Sequence, residues 1–243
     1  MVAKNQVTAP LGWIKQNLAK PIKAALRPVL ARNPALLETL YARGLVERPA
    51  LPHEVGMSYY QLTSSWELLP DTCPCDIQFC EYLQQSAIKG KSIFHFGTGS
   101  HHIIGLENQN FDRPNQIVGI TASLPEHQAY VQLVLENAAL AKYYKVLFAD
   151  IYTLTAGNLP SLDIVNLFHL CEFYLPENAA IVHHDDASLL QLFIDNLNPD
   201  GRILFYSGSR NWSENAQAIV QSFEAAGKIK RIGEFKSLLI YGR

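Results

Sequence analysis

The chain is short of charge, of cysteine and of long apolar runs. Charged residues make up 17% of its 243 positions and the formal net charge is -2. With no general excess of positive charge, no nucleic-acid partner is expected. No apolar stretch reaches the ~20 residues that span a bilayer, so no transmembrane segment is expected. Lys15, Lys20, Pro21 and Lys23 interrupt the apolar residues near the start, so no secretory pattern forms. A cytoplasmic protein is the expectation. There are four cysteines. Cys73, Cys75 and Cys80 follow a C-x-C-x4-C spacing and Cys171 is distant, unlike the paired C-x2-C of structural zinc sites. That spacing predicts reduced cysteines packed around a helix start, and no metal centre.

Hydrophobic residues, at 48%, are enough for a substantial core. Residues 1–32 carry six basic side chains and no acidic one. Trp13, Ile14, Leu18, Ile22, Leu26 and Leu30 recur at helical spacing there, broken by Pro21 and Pro28. This arm either packs its apolar side on the main domain or meets a membrane surface or acidic partner. Asn33-Pro34 starts a helix that Gly44 is placed to end. An irregular aromatic stretch with Tyr59, Tyr60 and Trp66 follows, then a helix over Asp76–Ile88. Residues 1–88 thus read as a helical and loop-rich cover, and residues 89–243 as the main domain.

From Lys91 strands and helices alternate. Ser92–His95 is a short buried strand and Phe96-Gly97-Thr98-Gly99-Ser100 a glycine-bearing turn. Further strands are expected at 116–121, 145–149, 162–170 and 202–206, and helices at 125–141, 186–197 and 213–226. Two short strands at 228–234 and 237–241 close the chain, joined too tightly for a helical crossover. The pattern is α/β: a seven-stranded, mostly parallel sheet with an antiparallel last strand, preceded by a helical region.

This order of elements resembles the Rossmann-like, class I S-adenosylmethionine (SAM)-dependent methyltransferases from Lys89 to Arg243. The glycine turn follows the first strand, Gly119-Ile120-Thr121 ends the second, Ala149-Asp150 follows the third, and Asn198-Pro199-Asp200-Gly201 leads into the fifth. The resemblance implies SAM as cofactor, held by His95, Phe96, Gly97, Thr98, Gly99, Thr121, Asp150 and Ile151, and a small-molecule acceptor of an O- or N-methyl group. The glycine motif diverges from the family's acidic-x-Gly-x-Gly-x-Gly: His95 and His101 replace the acidic residue and the third glycine. Thr121 stands where the family carries a carboxylate for the ribose hydroxyls. A dinucleotide fingerprint would need glycine at His102. These changes keep a second reading open, a methyltransferase-like protein that binds another ligand or serves in assembly.

Seven of eight histidines lie in the sheet half. His169, at the end of the fourth strand, is the candidate general base, with His184 behind it. His183-His184-Asp185-Asp186 is the densest run of potential ligands. Asp185 or Asp186 is also a natural cap for the helix that follows.

Overall fold

Alternating side chains along the central strands build two apolar layers. A computed structural model describes residues 34–44 and 65–243. The basic arm at 1–32 and the aromatic residues Tyr59 and Tyr60 lie outside the described residues. Met1–Leu51 and Pro52–Arg243 are separate units. The described part of the first is helix α1, Pro34–Ala42, followed by Gly44 at φ +64°.

In the second unit, α2 (Cys75–Gln85) precedes the sheet. Then come β1 (Ser92–Phe96), α3 (Ile103–Glu107), β2 (Gln116–Thr121), α4 (Leu124–Glu136), β3 (Tyr144–Phe148) and β4 (Leu162–Asn166). The chain continues through α5 (Asp186–Asp195), β5 (Leu197–Tyr206), α6 (Gln217–Ala225), β6 (Lys230–Phe235) and β7 (Leu238–Gly242). The strand order is β3-β2-β1-β4-β5-β7-β6. β1 to β5 are parallel, and β7 is antiparallel to both β5 and β6. The expected sheet, with its reversed last strand, is the one found.

Successive residues of a strand point to opposite faces. Ile93, Ile164, Leu204 and Ile240 therefore join Phe79 and Leu83 of α2 and Ile104 of α3 in one layer. Phe94, Val165, Ile203 and Tyr241 join Leu189 and Phe193 of α5 and Val220 of α6 in the other. α2, which the sequence groups with the N-terminal cover, thus shares the core of the sheet. α5 begins at a reciprocal cap: Asp185 accepts from the Ser188 N–H at 2.8 Å, and the Ser188 hydroxyl accepts from the Asp185 N–H at 3.0 Å.

Three boundaries differ from expectation, one of them β5, which starts at Leu197 and takes in the turn expected at 198–201. β4 ends at Asn166, not at residue 170. Leu167, Phe168, His169 and Leu170 form a turn in which all four are buried. A continuous apolar run is buried in either conformation, so its pattern does not mark where the strand stops. α4 ends at Glu136, and residues 138–142 are a 3-10 turn opened by Asn137.

Candidate functional site

The glycine turn lies at the carboxyl edge of the parallel strands, where open α/β sheets bind ligands. Gly97 and Gly99 have φ of +84° and +56°, and His102 is left-handed at +46°. Glycine is required at the first two positions by what lies over them as well as by φ. A Cβ on Gly97 would stand 3.2 Å from the His169 ring. A Cβ on Gly99 would overlap the His101 ring and stand 3.1 Å from the carbonyl oxygen of Trp66.

Trp66 is fastened there by its backbone. Its carbonyl accepts from the Ser100 N–H at 2.8 Å and the Ser100 hydroxyl at 2.9 Å. Its N–H donates to Glu126 at 2.9 Å, and the other oxygen of that carboxylate accepts from the Thr121 hydroxyl at 2.6 Å. Burial raises the Glu126 pKa, partly offset by these two donors. Glu126, which sequence reading missed, puts a buried carboxylate beside the end of β2. Its position in the first turn of α4 was the available signal.

The residues singled out for a cofactor are brought to this edge, but largely below its surface. His95, Phe96, Thr98, Thr121, Asp150 and Ile151 are all buried. Phe96 stacks edge-on against Phe173 and Ile151 belongs to the core. The Asp150 carboxyl accepts from the Tyr152 N–H at 3.0 Å, and burial pushes its pKa up to about 6.

Beside the turn is a cluster of sulfur, imidazole and carboxylate. The residues before α2 and its first turn present Cys73, Cys75 and Asp76, and the turn after β4 presents His169. Cys73 Sγ and Cys75 Sγ are 3.7 Å apart. Both thiols and one ring nitrogen of His169 lie within 4.8 Å of one another. The thiol contact with Cys75 lowers the Cys73 pKa to about 7 against burial, and raises that of Cys75. Asp76 faces His95 Nε2 at 3.6 Å and His101 Nε2 at 3.7 Å. Burial alone would raise the Asp76 pKa, but these imidazoles hold it below the usual carboxylate range. His169 Nδ1 is 3.3 Å from Glu172 Oε2. Burial opposes charge on His169, yet the Glu172 carboxylate prevails and raises its pKa. His95 Nε2, Thr98 Oγ1, Asn166 Oδ1 and His169 Nδ1 are buried without a hydrogen bond.

Cys80 is elsewhere, in the apolar core. His184 does not line the cavity at the glycine turn; its N–H and that of His183 donate to the Tyr152 carbonyl. Asp185 is the helix cap. Asp186 accepts from the Tyr152 hydroxyl at 2.7 Å and the Cys171 N–H at 3.0 Å, so both carboxylates of the acidic run have structural partners.

No family model and no curated protein matches the chain. Solved structures do. Magnesium protoporphyrin IX methyltransferase from Synechocystis PCC 6803, with bound SAM, is 11% identical with a TM-score of 0.54, covering 81% of this chain and 99% of that one. A SAM-dependent methyltransferase from Aquifex aeolicus is 14% identical with a TM-score of 0.46, covering 72% and 98%. The cyclase SpnF is 16% identical with a TM-score of 0.46; the match covers 70% of this chain and 63% of SpnF, under two thirds of its length. The fold is that of the class I SAM-dependent methyltransferases.

The described residues, as arranged, do not fit SAM at the glycine turn. The Trp66 carbonyl and the rings of His101 and His169 stand over its two glycines. The cavity left there is about 30 Å³, room for an ion or a few waters and short of what a nucleoside fills.

Proposed function

We propose that this chain is a methyltransferase-fold protein whose cleft binds a ligand other than SAM. One observation carries the reading: the backbone of Trp66, hydrogen-bonded to Ser100 and Glu126, lies over Gly99 where a cofactor of this fold would approach. In place of a cofactor cradle the cleft presents thiols, imidazoles and carboxylates, which suit a small polar ligand or an ion. Fold by itself does not assign an activity.

A SAM-dependent methyltransferase of a small-molecule acceptor is the second reading, favoured by the placement of Gly97, Gly99, Thr121 and Asp150 at the carboxyl edge. On that reading the segment at Trp66 withdraws to admit the cofactor. His169 then serves as base for O- or N-methylation.

Thermal unfolding with SAM and with S-adenosylhomocysteine at millimolar concentration separates the two. A native-state ligand at 100 times its Kd adds about 2.7 kcal/mol, worth roughly 5–10 °C in a chain of this size. We expect less than about 1 °C with either compound. A shift of several degrees, confirmed by calorimetric titration, would establish the second reading. His169→Ala would then lower turnover by roughly a hundredfold or more.

A further inference from the structure

We propose that Cys73, Cys75 and His169 bind a zinc-class divalent ion, leaving one coordination position open toward the cavity at the glycine turn. This deepens the reading of the cleft as a site for a ligand other than SAM, and rests on it for the identity of that ligand.

Tetrahedral zinc with ~2.3 Å bonds to two thiolates holds the sulfurs ~3.8 Å apart. Cys73 Sγ and Cys75 Sγ are already at 3.7 Å, and one His169 nitrogen completes a set of three within 4.8 Å. A short inward movement of one ring closes that triangle around an ion. The two thiols reach one point although a single residue separates them. Pro74, between them, is the cap of α2, so Cys75 is already on the helix while Cys73 is still outside it. A Cys73 N–H bond to the Leu69 carbonyl at 2.8 Å fixes the outer cysteine.

A carboxylate backs the His169 ring. Metal-bound histidines commonly turn their other ring nitrogen to a carboxylate, which sets the tautomer. Nδ1 of His169 faces the Glu172 carboxylate at 3.3 Å in a buried setting, so Nε2 is the nitrogen we assign to the ion. Glu172 is itself held, accepting from the Ser209 hydroxyl at 2.5 Å and the Arg210 N–H at 3.2 Å. Three protein ligands and a water-sized space describe a site with an exchangeable fourth position. Two thiolates select zinc over magnesium or calcium, which take oxygen ligands.

The test uses the full chain, stripped with chelator under reducing conditions and titrated with Co²⁺ and then Zn²⁺. We expect thiolate-to-cobalt charge-transfer absorption saturating at one equivalent, tetrahedral cobalt bands, and loss of both on adding zinc. Cys73→Ser should remove about half of the charge-transfer intensity. Glu172→Gln should keep the bands and weaken affinity roughly 10- to 100-fold. Cys80→Ser should change neither. Should the cysteine variant fail to fold, alkylation of the wild-type protein reads the same site: zinc should protect Cys73 and Cys75, mapped by mass spectrometry, and leave Cys171 unprotected. A folded protein with no thiolate band at one equivalent, or protection spread evenly over the cysteines, overturns the proposal. Repeating the SAM titration on metal-loaded protein keeps the two readings apart. Zinc and SAM both binding would retain the metal site and discard the non-SAM reading. Neither binding would discard the metal site alone.

Discussion

Ser100 gives two hydrogen bonds to one acceptor, the carbonyl oxygen of Trp66, from its N–H at 2.8 Å and its hydroxyl at 2.9 Å. The residue that follows the glycine turn therefore anchors a segment 34 positions earlier in the chain. The end of the glycine turn thus holds the protein's own backbone.

Glu126 is the second anchor. Glu126→Ala leaves the Trp66 N–H and the Thr121 hydroxyl without their acceptor. We expect a loss of roughly 2–3 kcal/mol in urea unfolding and faster hydrogen exchange at the Trp66 amide. If that amide exchanges as slowly in the variant as in the wild type, Glu126 does not hold the segment.

Gly99→Ala meets two obstacles. Its φ of +56° disfavours any Cβ, and that atom would crowd the Trp66 carbonyl at 3.1 Å as well as the His101 ring. Chemical denaturation should show a loss of about 2 kcal/mol. The same change at Gly227, with φ +68° and open space around it, should cost only the conformational part, roughly 1 kcal/mol. Equal costs at the two sites would mean that the packing over Gly99 is loose.

His102 gives a pH dependence of definite sign. Its Nε2 lies 2.9 Å from the Glu126 carbonyl, which only accepts, so Nε2 carries the proton and Nδ1 accepts from the Tyr144 hydroxyl at 2.9 Å. Burial, only partly offset by that carbonyl, pushes its pKa down to about 4 from 6.5. The unfolded chain therefore binds a proton that the folded one refuses. Stability from neutral His102 is present above about pH 6.5 and is lost as pH falls toward 4, by roughly 3 kcal/mol in full. Asp150, raised to about 6, acts in the opposite sense over the same range, so the wild-type curve alone does not isolate the histidine. The stability gap between wild type and His102→Asn should be widest near pH 7 and narrow steadily to pH 4. A gap independent of pH would refute the assignment.

Phe79 tests whether α2 belongs to the sheet. It is fully buried and meets Phe168 edge-on at a centroid distance of 6.0 Å. Phe79→Ala should cost about 3–5 kcal/mol in a single cooperative transition. A separate early transition would show α2 melting apart from the sheet.

The sheet was legible in the sequence. Alternating apolar positions, tight turns and the short link between Glu234 and Ser237 fix strand number and the reversed last strand, because these are local properties. A cap for α5 at Asp185 or Asp186 was legible for the same reason. Where β4 ends was not, since Leu167 and Phe168 are as apolar as the strand before them. The cysteine spacing compares only residues near in sequence, so it does not reach a distant histidine. Tertiary folding brings His169 to Cys73 and Cys75 from 94 to 96 positions away, with Glu172 facing its other nitrogen. Likewise, Gly97 and Gly99 specify backbone with positive φ but not what lies over it. Only the packing of Trp66 and the imidazoles decided that, because the hydrogen bonds closing the turn come from residues far apart in the chain.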